Sequence, residues 1–151
     1  EFCNDDWKTA PMKELPIGKG VKIKDGEDIA VLSIGTAGND AAKAIAEVEK
    51  NTGKQIAHYD MRFLKPIDEE LLREVAARYS KIVTVEEGMR DGGLGSAVVE
   101  KLADWKISKD VVRIGYPDKF IGQGEISELK ADTRTDFRAI ADEITKLIES
   151  L

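Results

Sequence analysis

IAVLSIG, residues 29–35, runs through TAGNDAAKAIAEVEKNTGK, residues 36–54, into QIAHYD, residues 55–60. The first and last pieces are short apolar runs, and the first closes on glycine, as strands covered on both faces do. Between them Ala41, Ala42, Ile45, Ala46, Val48 and Glu49 give a largely apolar face at helical spacing, and Asn51 and Gly53 end it. This is a strand–helix–strand unit, and two strands joined through a helix lie parallel in one sheet.

The same alternation extends outward. Upstream, Val21 and Ile23 alternate with lysines before the Asp25-Gly26 turn, which reads as an edge strand. Downstream, IDEELLREVAARYS (67–80) places Ile67, Leu71, Leu72, Val75 and Ala76 on one side of a helix. Pro66 sits near its start, with Asp68, Glu69 and Glu70 in the first turn, where negative charge suits the helix dipole. KIVTVEE (81–87) is a third core strand, GGLGSAVVEKLADW (92–105) a third helix, and Val111 to Gly115 a fourth core strand. A short helix over EISELKA (125–131) and a long one carrying Phe137, Ile140, Ala141, Ile144, Leu147, Ile148 and Leu151 complete the chain. The expected fold is therefore α/β: a three-layer sandwich around a mostly parallel five-stranded sheet with one antiparallel edge strand. The loops that follow the parallel strands gather at one sheet edge, where such folds bind ligands.

Residues 1–18 show no period and carry two of the four prolines. They read as a linker or arm from an upstream domain, with Trp7 and Leu15 able to pack on the body formed by residues 19–151. The chain begins with Glu1, which reads as a piece of something longer. Its 151 residues suffice for one domain, and 42% apolar with 34% charged residues mark a soluble globular chain. A net charge of −6 argues against nucleic acid and anionic membranes as partners. No apolar run reaches membrane-spanning length, and no signal segment opens the chain. Cys3 is the single cysteine, so neither an intrachain disulfide nor a zinc cluster is expected. These features fit a cytoplasmic protein.

Five features could carry chemistry or contacts. DGGLGS (91–96) follows a strand and opens a helix, the context for binding phosphate on backbone N–H groups. Its spacing breaks the dinucleotide fingerprint, with Val98 in place of the third glycine, so a tight turn with close backbone packing is the expectation. Glu86 and Glu87 are adjacent on a strand and point to opposite faces, so they form no dyad. One of them should face inward and hold the glycine turn or a cation. His58, the single histidine, sits mid-strand with no serine or cysteine partner evident, and Asp60 shares its face. Arg62, where a strand turns into a helix, either pairs with Asp60 or Glu87 or recognises a phosphate or carboxylate, for which a guanidinium is well shaped. The loop GYPDKFIGQG (115–124) exposes Tyr116, Phe120 and Ile121 to a domain contact, or buries them under the last helices. No metal-ligand spacing is present.

The strings YDMRFLKPIDEELL (59–72), IVTVEEGMRDGGLGSAVVE (82–100) and RIGYPDKFIGQG (113–124), in this order, resemble the C-terminal domain of the 1-deoxy-D-xylulose-5-phosphate synthases of the transketolase superfamily. The resemblance covers nearly the whole chain. It implies a three-domain, homodimeric parent that uses thiamine diphosphate and Mg²⁺ to join pyruvate to glyceraldehyde 3-phosphate. The cofactor's diphosphate signature is absent here, so the resemblance implies that the upstream domains hold it, that this chain binds no cofactor or metal, and that no catalytic residue lies within it. Alone, the chain is expected to be inactive. By the same resemblance Arg62 holds the phosphate of glyceraldehyde 3-phosphate. The alternative is the corresponding docking domain of a 2-oxoacid dehydrogenase β subunit, which shares the R-x-x-x-P-x-D and V-E-E skeleton but usually lacks the P-D-x-F-I loop.

Overall fold

The computed structural model describes residues 11–151. Five strands, β1 (Val21–Lys24), β2 (Ile29–Ser33), β3 (Ala57–Asp60), β4 (Lys81–Met89) and β5 (Asp110–Tyr116), form one sheet in the order β1-β3-β2-β4-β5. β2, β3, β4 and β5 are parallel, and β1 adds antiparallel to β3. Among the described residues five helices connect and flank them: α1 (Ala37–Thr52), α2 (Glu69–Arg78), α3 (Leu94–Asp104), α4 (Ile126–Asp132) and α5 (Phe137–Glu149). The expected α/β sandwich with one antiparallel edge strand is what the chain forms.

Central β2 is buried at all five positions, as its unbroken apolar run demands. Alternation along the strands divides the core in two. Ile29, Val31, Val83, Val85 and Ile114 face one way and pack under α1 and α5, against Ala41, Ile45, Ile140 and Ile144. Ala30, Leu32, Ala57, Tyr59 and Ile82 face the other way and meet Leu72 and Val75 of α2 and Leu94 and Val98 of α3. Each large apolar side chain so buried contributes about 1.5–3 kcal/mol against exposure.

Several expectations shift in detail. On α1 the buried stripe is Ala37, Ala41, Ala44, Ile45 and Val48, while Ala42 and Ala46 are exposed; with so many alanines, composition alone does not choose the face. Ile67 and Leu71 only pack against the edge of the core. Leu15 is 51% exposed rather than packed, and Trp7 lies outside the described residues. α4 buries no residue at all.

Candidate functional site

Because β2 to β5 run parallel, the chain leaves all four at the same sheet edge. There Gly35 and Thr36 follow β2, Arg62 follows β3, Arg90 to Gly93 follow β4, and residues 117–124 follow β5.

Arg62 is exposed and has a left-handed backbone, φ 56°, a conformation that costs a non-glycine residue roughly 1–2 kcal/mol. Phe63 N–H donates to Met61 C=O, so Arg62 is the centre of a three-residue turn, the strained hand of the γ-turn. Flanking it, Met61 is fully buried and its N–H donates to Ser33 C=O at 2.8 Å. The turn is thus anchored on its N-terminal side by Met61. Asp60 Oδ1 accepts the Arg62 backbone N–H at 2.9 Å, and Asp60 Oδ2 lies 3.9 Å from Arg62 Nε. That contact is too long for a hydrogen bond, so Asp60 holds the backbone of Arg62 and leaves its guanidinium donors open.

Glu86 faces inward and is 4% exposed. Its Oε2 accepts from Leu94 N–H at 2.7 Å and its Oε1 from Gly95 N–H at 3.0 Å. The start of α3 is therefore filled by a carboxylate of the chain itself, which satisfies the free N–H groups and the helix dipole together. Gly93 is required by this arrangement: a Cβ there would lie 1.9 Å from Glu86 Oε2 and 2.5 Å from Met89 C=O. The glycine cluster is a packed turn, and Glu86 and Glu87 part to opposite faces as strand geometry requires.

Glu87 takes a hydrogen bond from the Thr36 hydroxyl and an ion pair from Lys130 Nζ at 2.9 Å. Lys130 also reaches Asp40 at 2.8 Å. The Thr36 contact, more than burial opposes it, holds the Glu87 carboxyl below its usual range, with Lys130 adding to the effect. Burial disfavours the Lys130 ammonium, but its bonds to Asp40 and Glu87 outweigh that and raise it. One lysine thus ties α4 to α1 and to the end of β4.

His58 is buried, and its Nε2 lies 2.8 Å from Ser33 Oγ. Nothing in the spacing of residues around His58 points to this partner. The signal lies in the strand order: β3 sits beside β2, and both residues fall on the face covered by α1. Burial lowers the imidazole and the Asp60 charge partly restores it. Asp60 makes no hydrogen bond to His58; it turns to Arg62 instead. Phe120 stands fully in solvent, and Ile126 is largely exposed, so the loop after β5 is not buried under the last helices.

Residues 18–140 match the family model described as the transketolase, C-terminal domain. The chain belongs to that family. Over 146 residues it is 51% identical to a 1-deoxy-D-xylulose-5-phosphate synthase of Bacteroides thetaiotaomicron, covering 97% of this chain and 22% of that protein. A Parabacteroides distasonis protein of the same name is 52% identical over 141 residues, with 93% and 22% covered. The chain thus spans about a fifth of the length of these curated relatives. Among solved structures, a split-gene transketolase described as an inactive β4 tetramer superposes with a TM-score of 0.81 at 33% identity, covering 89% of this chain and 43% of that one. A Campylobacter jejuni transketolase shares the fold at 15% identity, with a TM-score of 0.60 over 85% of this chain and 18% of that one. No helix among the described residues is long and apolar enough to cross a membrane.

Proposed function

We propose that this chain is the C-terminal domain, residues 19–151 with an arm at 1–18, of a cytoplasmic 1-deoxy-D-xylulose-5-phosphate synthase. The full enzyme joins pyruvate to D-glyceraldehyde 3-phosphate with loss of CO₂. In this reading Arg62 binds the phosphate of glyceraldehyde 3-phosphate, and the domain takes part in the homodimer. The observation that carries the assignment is Arg62 itself, an exposed arginine in a costly left-handed turn at the ligand edge, its guanidinium held by no carboxylate at hydrogen-bond distance. Strained backbone held by its surroundings is characteristic of functional positions.

The described residues do not fit a thiamine diphosphate site. Among the described residues no group of three His, Cys, Asp or Glu side chains is placed to hold a metal ion, and Glu86 already fills the backbone cradle at Gly93–Gly95. Cofactor and Mg²⁺ belong in this reading to the upstream domains, and the isolated domain is inactive. The contribution of this chain is orientation. Gripping a phosphate remote from the reacting carbonyl turns binding energy into correct placement of that carbonyl.

The test is the full-length enzyme with Arg62→Ala, assayed with thiamine diphosphate, Mg²⁺, pyruvate and glyceraldehyde 3-phosphate. A charge-assisted hydrogen bond of about 1.5–3 kcal/mol predicts a loss of roughly 10- to 150-fold in kcat/KM for the aldose phosphate. Unchanged efficiency returns Arg62 to a surface role. Pyruvate decarboxylation by the parent enzyme that requires a lipoyl acceptor instead of the aldose phosphate would make the domain a docking module.

A further inference from the structure

We propose that the cleft along the free edge of β5, walled by Arg90, Arg113 and Arg134, is a second phosphate-binding site. The cavity measures about 300 Å³, within the range of small-molecule sites. Its three arginines come from three separate places: the loop after β4, β5 itself, and the turn between α4 and α5. It lies at the opposite side of the sheet from Arg62, three strand spacings or roughly 14 Å across.

These arginines are loosely paired. Arg78, Lys101 and Lys130 meet a carboxylate at hydrogen-bond distance, 2.9 Å to Asp25, 2.6 Å to Glu69 and 2.8 Å to Asp40, whereas Arg62, Arg73 and Lys54, like the cleft arginines, do not. At the cleft, Arg90 Nε and Arg113 Nη1 lie 3.7 and 3.6 Å from the same Asp91 oxygen. Arg134 Nη2 lies 3.7 Å from Asp142 and 3.6 Å from Glu143. None of these is a hydrogen bond. Arg113 is positioned by Nη1 donating to Ser96 Oγ at 3.1 Å and to Arg90 C=O at 3.3 Å. The guanidinium groups of Arg90 and Arg134, five N–H donors each, donate to no described residue. Glu143 also lines the cleft, but Lys146 pairs with it at 2.7 Å. Of the charged side chains that line the cleft, three are arginines and one, Glu143, is a carboxylate.

The backbone adds a second observation. Arg134 is left-handed, φ 56°. It occupies the turn that ends α4, with its own N–H donating to Ala131 C=O and Thr135 N–H donating to Lys130 C=O. Glycine or asparagine is the usual occupant of such a turn. An arginine there keeps a side chain at the cleft in spite of the strain.

Phosphate suits this site better than carboxylate. Forks arriving from three elements can each take different oxygens of a tetrahedral anion, whereas a planar carboxylate is filled by one fork. Val112, Ile114 and Pro117 supply an apolar wall beside the arginines, where the carbon skeleton of a phosphate ester would rest.

The experiment is a titration of the ¹⁵N-labelled 151-residue chain with inorganic phosphate, ionic strength held constant by exchange with chloride. Saturable shifts centred on the amides of Gly115, Thr133 and Arg134 are expected. They should weaken roughly 3- to 10-fold in Arg134→Gly and in Arg90→Gln. Arg134→Gly relieves the left-handed strain, so loss of folding cannot imitate loss of binding. A parallel titration with phenyl phosphate tells the sources apart: tighter binding with shifts at Val112 and Ile114 identifies an ester, equal binding identifies free phosphate, and both support the site. Shifts that never saturate, that acetate reproduces equally, or that saturate at unchanged affinity in Arg134→Gly overturn it. Shifts confined to the surroundings of Arg62 overturn the cleft and leave the proposed role of Arg62 standing.

Discussion

Asp60 is bound to the backbone of Arg62, not to its charge: Oδ1 accepts the Arg62 N–H at 2.9 Å, while Oδ2 stays 3.9 Å from Nε. A carboxylate placed to neutralise an arginine would meet its fork. This one fixes the turn that presents it. Asp60→Ala removes the acceptor and frees the turn, and Asp60→Asn keeps an acceptor oxygen in place. With Arg62 in its proposed role, Asp60→Ala in the full-length enzyme should raise KM for glyceraldehyde 3-phosphate about 3- to 10-fold, the effect of one hydrogen bond of about 1 kcal/mol. Asp60→Asn should recover most of it. Steady-state kinetics on both variants decide, and equal loss in the two would mean that the charge matters.

The left-handed turn at Arg62 makes a second prediction, readable without activity. Arg62→Ala and Arg62→Gly both delete the guanidinium, but only glycine relieves the strain at φ 56°. The glycine variant should be the more stable of the two by about 1 kcal/mol in urea unfolding. Both should lose catalytic efficiency in the full enzyme to the same extent. A glycine variant less stable than the alanine variant would show the turn to be unstrained.

Glu86 caps α3 from inside the protein, so its removal should act on folding. Glu86→Gln leaves an amide N–H₂ facing a backbone N–H, at a cost of about 2 kcal/mol. At roughly 2–4 °C per kcal/mol for a chain of this size, thermal unfolding should move down by several degrees. Gly93→Ala should cost at least as much, because its Cβ meets both Glu86 and the Met89 carbonyl.

Lys130 is the tether of α4. Since α4 buries nothing, Lys130→Met should speed amide exchange across residues 126–132 while β2 and β4 keep their protection. Loss of protection throughout the sheet would show that α4 belongs to the cooperative core.

What could be read from the sequence follows from what is periodic. The strand–helix alternation predicts the parallel sheet, and an inward carboxylate at 86 or 87 was legible because adjacent strand residues must part to opposite faces; that it is Glu86 that holds the glycine turn, and not Glu87, was not. The choice of buried alanines on α1 was not legible, because methyl groups on every side carry no direction. Nor was Ser33 beside His58, which depends on β3 lying next to β2. The pairing distances of Arg90, Arg113 and Arg134 depend on three segments far apart in the chain, and composition shows only that the arginines exist.

The Ser33–His58 contact leads to a pH dependence. Burial, partly opposed by the Asp60 charge, holds His58 below the ordinary value of 6.5, so the unfolded chain takes up a proton at higher pH than the folded one. Where the unfolded state binds more protons, stability rises with pH. Stability should thus be full above about pH 6.5 and decline as the pH falls below it, until the folded-state histidine also titrates. Asp68 enters only in stronger acid. Burial would raise it, but the Leu71 and Gly20 N–H donors hold it below the usual carboxylate range, and its contribution is lost only below that range. The urea midpoint should therefore drop between pH 7.5 and 5.5 in the native sequence. In His58→Gln, which can still meet Ser33 Oγ and carries no titrating proton, the drop over the same interval should shrink. An undiminished drop would place the titrating group elsewhere.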